Sequence, residues 1–361
     1  MRYELQKGSV AMKKTISILL VLLSVVTMLN SCKNQTTFPE NTTESDPIES
    51  STGTSSTEDE TNDTILPTED PDYEFSLLTD ETYGIKKFLN TEATEASVPD
   101  TYNGKAVTKI MEDAFKDCSN LTTVTVPDSI QEISEGAFSG CSALTDMSVP
   151  FVGKNRDASD SLGYFFGQTP YDGGQKVNHR YIAPDGYQKQ KPFYIPSGLK
   201  KVTVTDSIIK TYAFDSCAML EELVFGNGVT NIENNAFIEC DNLARIYMGD
   251  GITQIQDECF SYLYNLKSVE IGKNVTKIGR YAFSNCNSLE SVTIPYNVTV
   301  IEPYAFSGCT ALKSIIFECT TGWYRDYGSS SGTEMTVTDP TKNAVNLTDY
   351  REYVGDRWMR K

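Results

Sequence analysis

Residues 286–306 read CNSLESVTIPYNVTVIEPYAF, and the pattern of apolar residues in this stretch predicts the fold of the chain. Leu289, Val292 and Ile294 are apolar, and Val292 and Ile294 alternate with polar neighbours. This alternation predicts a short β-strand with one buried face. Pro295 ends the strand because proline has no N–H group to donate to a neighbouring strand.

The second half of the stretch predicts how the chain turns back. Val298 and Ile301 form a second apolar pair on the next side of the coil. Pro303 then indicates a short helical turn, since proline is tolerated at the first position of a helix. We expect the small Ala305 and the large Phe306 to point inward.

The same pattern recurs along the chain at a step of 23 residues. A fixed period of this length indicates stacked repeats that bury a continuous core between them. Each coil should give one strand to a parallel sheet, with neighbouring strands about 4.8 Å apart. The repeated phenylalanines are Phe115, Phe138, Phe214, Phe237, Phe260, Phe283 and Phe306.

The combined pattern Leu-x-x-Val-x-Ile-Pro, Val-x-x-Ile and Ala-Phe-x-x-Cys resembles that of the BspA-like leucine-rich-repeat surface proteins. The resemblance covers roughly residues 96–320. It implies a curved right-handed solenoid, a cell-surface role in adhesion or ligand capture, and no catalytic residues. We therefore expect a β-rich α/β chain, with a right-handed leucine-rich-repeat solenoid of about 23 residues per coil, a parallel β-sheet and a cap at each end.

The N-terminal segment, residues 1–32, has the features of a bacterial lipoprotein signal peptide. Lys13 and Lys14 precede an apolar run from Ile16 to Leu29, which is shorter than the roughly 20 residues of a membrane-spanning helix. The run ends in LNSC, which resembles a lipobox and makes Cys32 the expected site of lipid attachment. Ordinary secretion is the alternative. We expect an exported protein that is lipid-anchored at the bacterial cell surface.

Residues 33–72 are predicted to be a disordered tether between the anchor and the folded part. They contain eleven acidic residues and one lysine, with many Ser and Thr and few apolar side chains. Such a segment cannot bury enough apolar surface to offset the entropy of ordering.

Cysteine follows most of the repeated phenylalanines by three positions, and Leu263 takes the same position in one coil. A position that accepts leucine is an apolar core position, so we expect free, buried thiols there rather than disulfides. Zinc is disfavoured because no Cys-x-x-Cys pair occurs and His179 is the only histidine. The sequence indicates no metal and no cofactor.

The repeat fails between Phe138 and Phe214, where an insertion at residues 151–198 is rich in aromatic residues and has more basic than acidic ones. LGYFF at 162–166 is a candidate substitute for Ala-Phe, which leaves a long loop over residues 167–198. Long loops are often functional, and Tyr and Arg are favoured at binding sites. Packing of the aromatic side chains on the solenoid is the alternative to ligand contact. The candidate ligand-binding residues of the insertion are Tyr171, His179, Arg180, Tyr181 and Tyr187.

A weaker candidate lies on the exposed side of the predicted sheet. Val224 and Tyr247 occupy outward strand positions beside Glu270 and should form a small apolar spot. Single exposed apolar residues are common, so this signal is less specific than the insertion.

Both ends of the repeat region, residues 96–319, require caps that cover the terminal core. Residues 73–95 show alternating apolar residues on either side of a turn and predict a β-hairpin cap. Residues 320–361 contain both tryptophans, Trp323 and Trp358, and are interpreted as the C-terminal cap.

The sequence favours a binding protein over an enzyme. It contains no phosphate-binding loop and no His-Glu-x-x-His motif, and the GSSSG stretch at residues 328–332 is interpreted as a Gly/Ser-rich turn. The net charge of −18 disfavours nucleic acid, and we expect membrane contact through the N-terminal lipid alone. The predicted function is binding of a host or neighbouring-cell surface protein or glycan by a monomer. The alternative is a structural or scaffolding envelope protein that contacts other surface proteins.

Overall fold

The computed structural model describes residues 70–326, 333–348 and 355–361, which belong to one compact unit, Pro67–Lys361. The predicted signal peptide, Cys32 and nearly all of the tether lie outside the described residues. Within the described ranges, no helix is both long and apolar enough to cross a membrane.

Short strands make up most of the described secondary structure. In chain order the first eleven are β1 (Tyr73–Leu77), β2 (Tyr83–Phe88), β3 (Glu95–Ser97), β4 (Thr101–Tyr102), β5 (Lys105–Ile110), β6 (Thr123–Thr125), β7 (Glu132–Ile133), β8 (Asp146–Val149), β9 (Gly174–Ile182), β10 (Gln188–Pro196) and β11 (Lys201–Ile209). The others are β12 (Glu222–Ile232), β13 (Arg245–Met248), β14 (Gln254–Ile255), β15 (Ser268–Glu270), β16 (Lys277–Ile278), β17 (Ser291–Ile294), β18 (Val300–Ile301), β19 (Ser314–Phe317), β20 (Trp323–Asp326), β21 (Thr333–Glu334) and β22 (Arg357–Arg360). A 3₁₀ helix spans Leu162–Phe165, and one α-helix, α1, spans Pro340–Thr348.

The predicted parallel sheet is present and confirms the fold class. Seven strands pair in parallel in the order β3-β6-β8-β11-β12-β13-β15, and β17 and β19 form a further parallel pair. Equivalent residues of successive coils face each other, so Leu223 pairs with Val202 on one side and with Ile246 on the other. This register places the apolar positions of each coil against the same positions of the next.

A second parallel ladder forms where the sequence predicted only an apolar pair. Strands β14, β16 and β18 pair in parallel, with Ile255, Ile278 and Ile301 in register. These two-residue strands are extended at the Val-x-x-Ile segment, so their backbone groups bond between coils as well. The three coils that contain β13 to β18 therefore contribute two strands each rather than one.

The predicted helical turn at Ala-Phe is wrong, and the chain forms a series of tight turns instead. In the coil that ends at Phe306, Tyr304 has a φ of 63° and Gly308 a φ of 78°. A right-handed helix requires φ near −63°, so these two residues prevent helix formation. The turns are bonded from coil to coil, as in the 2.7 Å bond that the Phe283 N–H donates to the Ala305 carbonyl oxygen.

The repeated phenylalanines form the centre of the core, and all seven are buried. Rings of adjacent regular coils stack, with a centroid separation of 5.3 Å between Phe283 and Phe306. The eight described cysteines are buried, and the seven from Cys118 to Cys309 are free thiols, as the leucine at position 263 predicts. Several thiols donate to the phenylalanine carbonyl of the preceding coil, as Cys309 does to Phe283 at 3.0 Å.

Additional strands cover both ends of the stack. At the N-terminal end, β1 and β2 pair antiparallel, and β2 continues in parallel with β5. At the C-terminal end, β22 pairs antiparallel with both β18 and β20, and Trp323 and Trp358 are buried. The helix α1 lies within the predicted C-terminal cap and begins after Asp339, whose carboxylate accepts bonds from two N–H groups of the first turn.

Candidate ligand-binding surface at the β9–β10 hairpin

The 3₁₀ helix at Leu162–Phe165 carries the repeat through the insertion. Phe138 donates its N–H to the Phe165 carbonyl oxygen at 2.9 Å, as Phe115 does to Ala137. Phe165 thus follows Phe138 in the stack, and their ring centroids are 6.3 Å apart. Leu162 donates to Ala213 of the next coil at 2.8 Å, so the hydrogen bonding between coils continues on both sides of the helix.

The long loop predicted over residues 167–198 is instead a β-hairpin. Strands β9 and β10 are nine residues each and pair antiparallel from Gly174–Pro196 at the base to Ile182–Gln188 at the tip. The pair forms a sheet of its own, separate from the solenoid sheets. A tight turn closes the tip, where Gly186 has a φ of 80°. Alternation in the strands was hidden in the sequence because residues 188–191 of β10 are all polar and the adjacent Tyr181 and Ile182 of β9 are both apolar and exposed.

The base of the hairpin is buried against the solenoid. Val177 and His179 of β9 and Phe193 and Ile195 of β10 alternate inward and are buried. Gly163 of the 3₁₀ helix allows the closest approach, since a Cβ there would lie 2.6 Å from the Cβ of Phe193. Glycine at this position therefore lets the hairpin rest directly on the repeat core.

Tyr171 lies just before the hairpin and packs at its base. The ring approaches Gly174, where an added Cβ would lie 3.0 Å from it. The hydroxyl is buried with no hydrogen-bond partner among the described residues, and burial raises the pKa of Tyr171. Tyr171 thus supports the hairpin and does not present a free hydroxyl to solvent.

His179 is buried in the hairpin base, with 2% of its surface exposed, and it borders the cavity between the hairpin and the coil below. Its Nδ1 contacts the Ser161 hydroxyl, and its Nε2 lies 3.9 Å from the Cys217 sulfur. Burial lowers the pKa of His179 to about 3, so the ring is neutral at physiological pH. The aromatic composition of the insertion suggested a ligand contact here, but the residue packs between hairpin and coil.

Arg180 ties the hairpin to two successive coils of the solenoid. Its guanidinium bonds to the carboxylates of Asp215 and Glu239. The backbone N–H of Arg180 also donates to the Asp215 carboxylate at 2.6 Å. Asp215 is fully buried, and this burial raises its pKa while the pairing with Arg180 opposes the rise. Bonds from Arg180 lower the pKa of Glu239. Arg180 is therefore an anchor of the hairpin.

Asp215, which pairs with the candidate residue Arg180, was not predicted from the sequence. It follows Phe214 directly, and the residues that follow the other repeated phenylalanines are Lys116, Ser139, Ile238, Ser261, Ser284 and Ser307. The coil that follows the insertion is thus the only one of the seven with an acidic residue at this position. That exception was the signal in the sequence for a special role of Asp215.

The tip of the hairpin exposes large side chains to solvent. Tyr187 is 73% exposed, Ile182 is 60% exposed, and Tyr181 is also exposed. The turn is held by an ion pair between Lys189 and Asp185 at 2.6 Å and by the backbone bond that the Ala183 N–H donates to the Tyr187 carbonyl oxygen. The predicted contacts Tyr181 and Tyr187 thus both lie at the exposed end of the hairpin, as does Ile182.

A cavity of about 700 Å³ lies between the hairpin and the coil below it. Tyr181, Ile182 and Lys191 line it from the hairpin, and Thr211, Tyr212 and Glu233 line it from the solenoid. The cavity offers apolar surface, hydroxyls and charges of both signs. It continues the exposed tip inward, so tip and cavity form one surface.

The second predicted spot lies on the sheet, away from the hairpin. Val224 and Tyr247 are partners in register on β12 and β13, and Tyr247 faces Glu270 on β15. Both Val224 and Tyr247 are half-buried. In residues 70–326, 333–348 and 355–361, no three His, Cys, Asp or Glu side chains are grouped so as to hold a metal ion.

Comparison with known proteins supports the repeat assignment. A family model described as the BspA type leucine rich repeat region matches residues 82–156 and 189–323, in six copies. The unmatched stretch between them contains the 3₁₀ helix and β9. A search of curated proteins finds no match.

Several solved structures are similar to the chain. A leucine-rich-repeat protein of T. pallidum is 19% identical, with 62% of this chain and 91% of that chain covered and a TM-score of 0.34. A leucine-rich cell surface protein from Faecalibacterium prausnitzii is 19% identical, with 72% and 96% covered and a TM-score of 0.27. The pneumococcal vaccine antigen PcpA is 16% identical, with 70% and 87% covered and a TM-score of 0.30.

Proposed function

Since the chain belongs to the BspA-type leucine-rich-repeat family, we propose that it is a non-catalytic, lipid-anchored surface protein that binds an external protein through the β9–β10 hairpin. The solenoid holds the hairpin, and the hairpin tip makes the contact. The anchor is Cys32, preceded by a signal peptide and followed by the acidic tether.

The observation that carries this proposal is the contrast within the hairpin. Its base is buried and ion-paired, whereas its tip exposes Ile182 at 60% and Tyr187 at 73%. Exposed large apolar side chains on a well-supported element are typical of protein interaction sites. The aliphatic Ile182 favours a protein ligand over a glycan, because sugars stack on aromatic rings.

The arrangement around His179 supports a binding role rather than catalysis. A serine nucleophile needs a histidine that accepts its proton and a third group that orients the histidine. Burial lowers the pKa of His179 to about 3, which makes it a weak base, and its second nitrogen faces the Cys217 thiol rather than a carboxylate. The Ser161–His179 contact is therefore suited to packing.

An array of purified host matrix proteins and glycans, probed with the full chain, tests the proposal. We expect binding to a matrix protein, and we expect the double variant Ile182→Thr, Tyr187→Ser to lose most of it without a change in thermal stability. Lys176→Ser, an exposed change at the base of the same hairpin, is the matched control and should bind normally.

Two results would contradict the proposal. Binding to a glycan that survives the tip variant would place the ligand site elsewhere. Absence of binding to every probe, together with crosslinking to envelope proteins in intact cells, would favour the scaffolding function.

A further inference from the structure

A second surface with a different chemistry lies on the turn side of the solenoid, beyond the hairpin. Tyr262, Tyr264, Glu239, Asp241 and Glu258 line a groove of about 350 Å³, which we call the tyrosine groove. A smaller cavity of about 180 Å³ shares Tyr262 and Glu258 with it. That cavity continues over the next coil, so the two together follow the stack.

The two tyrosine rings are presented to solvent as a pair. Tyr262 is 57% exposed and Tyr264 is 47% exposed. Their ring centroids are 6.2 Å apart, and the rings are nearly perpendicular, at 66°. Two faces at this angle can contact one side chain from two directions.

The carboxylates that line the groove differ in their ion pairing. Many acidic side chains on the regular coils pair with a lysine or arginine one coil away, as Glu222 does with Lys201 and Arg245. Glu239 is held by Arg180. Within the described ranges, Asp241 and Glu258 form no ion pair, and both are exposed.

We propose that the tyrosine groove binds a lysine or arginine side chain of an extended basic peptide segment in a partner protein. A cation over a tyrosine face is stabilised by the ring quadrupole, and nearby carboxylates add an opposite charge. The same carboxylates oppose phosphate or sulfated ligands. The chain's net charge of −18 attracts a basic partner at long range.

The sequence of the next coil provides a variant that should preserve the fold. Asn285 and Asn287 lie one repeat after Tyr262 and Tyr264. Asn285 has a φ of 60°, close to the 64° of Tyr262, so asparagine fits this left-handed backbone. The double variant Tyr262→Asn, Tyr264→Asn therefore removes the rings and keeps the turn.

Fluorescence polarisation with the full chain tests the proposal, using a labelled, end-capped peptide of alternating glycine and arginine. We expect this peptide to bind and its glutamine counterpart not to bind. The tyrosine variant and the pair Asp241→Asn, Glu258→Gln should each weaken binding about tenfold. The matched control Glu270→Gln, Glu290→Gln removes the same charge elsewhere and should change affinity by less than about twofold.

Three outcomes would overturn the proposal. The first is equal binding of the arginine and glutamine peptides, and the second is an equal loss in the control pair, which would indicate attraction by net charge alone. The third is binding of a neutral oligosaccharide that the tyrosine variant abolishes, which would make the groove a glycan site. The hairpin variant Ile182→Thr, Tyr187→Ser should retain peptide binding, so this test and that of the proposed function fail independently.

Discussion

The regular coils, residues 211–317, and the insertion, residues 151–198, bury side chains in different ways. In the regular coils each core residue packs between equivalents on both sides, as Phe283 does between Phe260 and Phe306. In the insertion the buried contacts occur once: His179 with Ser161, Arg180 with Asp215, and Gly163 against Phe193.

This difference indicates in which region a single substitution should reduce stability most. A repeated contact has neighbours that supply the same chemistry, so a change in one coil is limited to that coil. A contact that occurs once has no substitute. The stability of the hairpin should therefore depend strongly on a few residues. The stability of the coils should depend only weakly on any single residue.

The largest effect is expected for Arg180→Ala, which leaves Asp215 buried without its partner. Removing one member of a buried ion pair typically costs about 3–5 kcal/mol. We expect the free energy of unfolding of the hairpin region, measured by urea denaturation and hydrogen exchange, to fall by roughly this amount. Glu239 should lose its bond as well, but its carboxylate can be hydrated.

Two further variants separate the ion pair from general loss of packing. Asp215→Asn in the Arg180→Ala background removes the buried charge and should restore part of the stability. Lys189→Ala, which breaks the exposed ion pair with Asp185, should have little effect. If Lys189→Ala and Arg180→Ala cost the same, burial of Asp215 does not decide the outcome.

The next effect is expected for Gly163→Ala. The added methyl would lie 2.6 Å from the Cβ of Phe193, so the hairpin must move away from the 3₁₀ helix. Overpacking of this kind costs about 1–3 kcal/mol, and thermal unfolding should show it. Gly198→Ala is the control, because its Cβ would be 3.6 Å from the nearest atom and its φ is ordinary. Equal melting temperatures for the two variants would mean that the hairpin does not rest on Gly163.

A smaller effect is expected from acid, through His179. Its pKa is about 3 in the folded chain, against 6.5 for an unperturbed histidine, so the unfolded chain binds the proton more readily. Stability from the neutral ring is complete above pH 6.5 and is lost as the pH falls toward 3. Linkage gives a loss of about 2 kcal/mol between pH 7 and pH 5.

Urea denaturation at both pH values measures this loss. His179→Gln removes the titrating group, so the part of the pH dependence that belongs to position 179 should disappear in that variant. An unchanged pH dependence would show that His179 does not titrate on unfolding.

The comparison also explains what the sequence could predict. The repeat predicted the coils and their core because the 23-residue spacing identifies the equivalent position in every coil. It could not reveal the hairpin, since β9 and β10 recur nowhere and their outer halves show no alternation of apolar and polar residues. It named Tyr181 and Tyr187, which are exposed, but could not separate them from the buried His179 and the ion-paired Arg180.

The turns were misinterpreted for a related reason. Ala-Phe preceded by proline is compatible with a helix, and only the backbone shows that Tyr304 is left-handed. The left-handed position becomes visible when the residues two before each repeated phenylalanine are compared between coils. Gly136, Asn235 and Tyr304 share one position, and glycine and asparagine favour that conformation.

The smallest effect is expected for Leu263→Cys, which restores to one coil the residue found in the others. Cys286, one coil later, donates its thiol to the Phe260 carbonyl oxygen at 3.2 Å. A cysteine at 263 should reach the Phe237 carbonyl in the same way. The lost leucine volume costs stability, and the new bond offsets part of that loss, so we expect a change within about 1 kcal/mol.

Leu266→Cys is the matched control because the chemical change is identical and both leucines are buried. Every regular coil has leucine at the position of Leu266, as at Leu243 and Leu289, and no coil places a thiol there. We expect a loss of about 2 kcal/mol or more in urea denaturation, since the cavity has no compensating bond. If the two variants were equally destabilised, the coils would not supply a thiol-binding carbonyl at each step, and their tolerance would rest on packing alone.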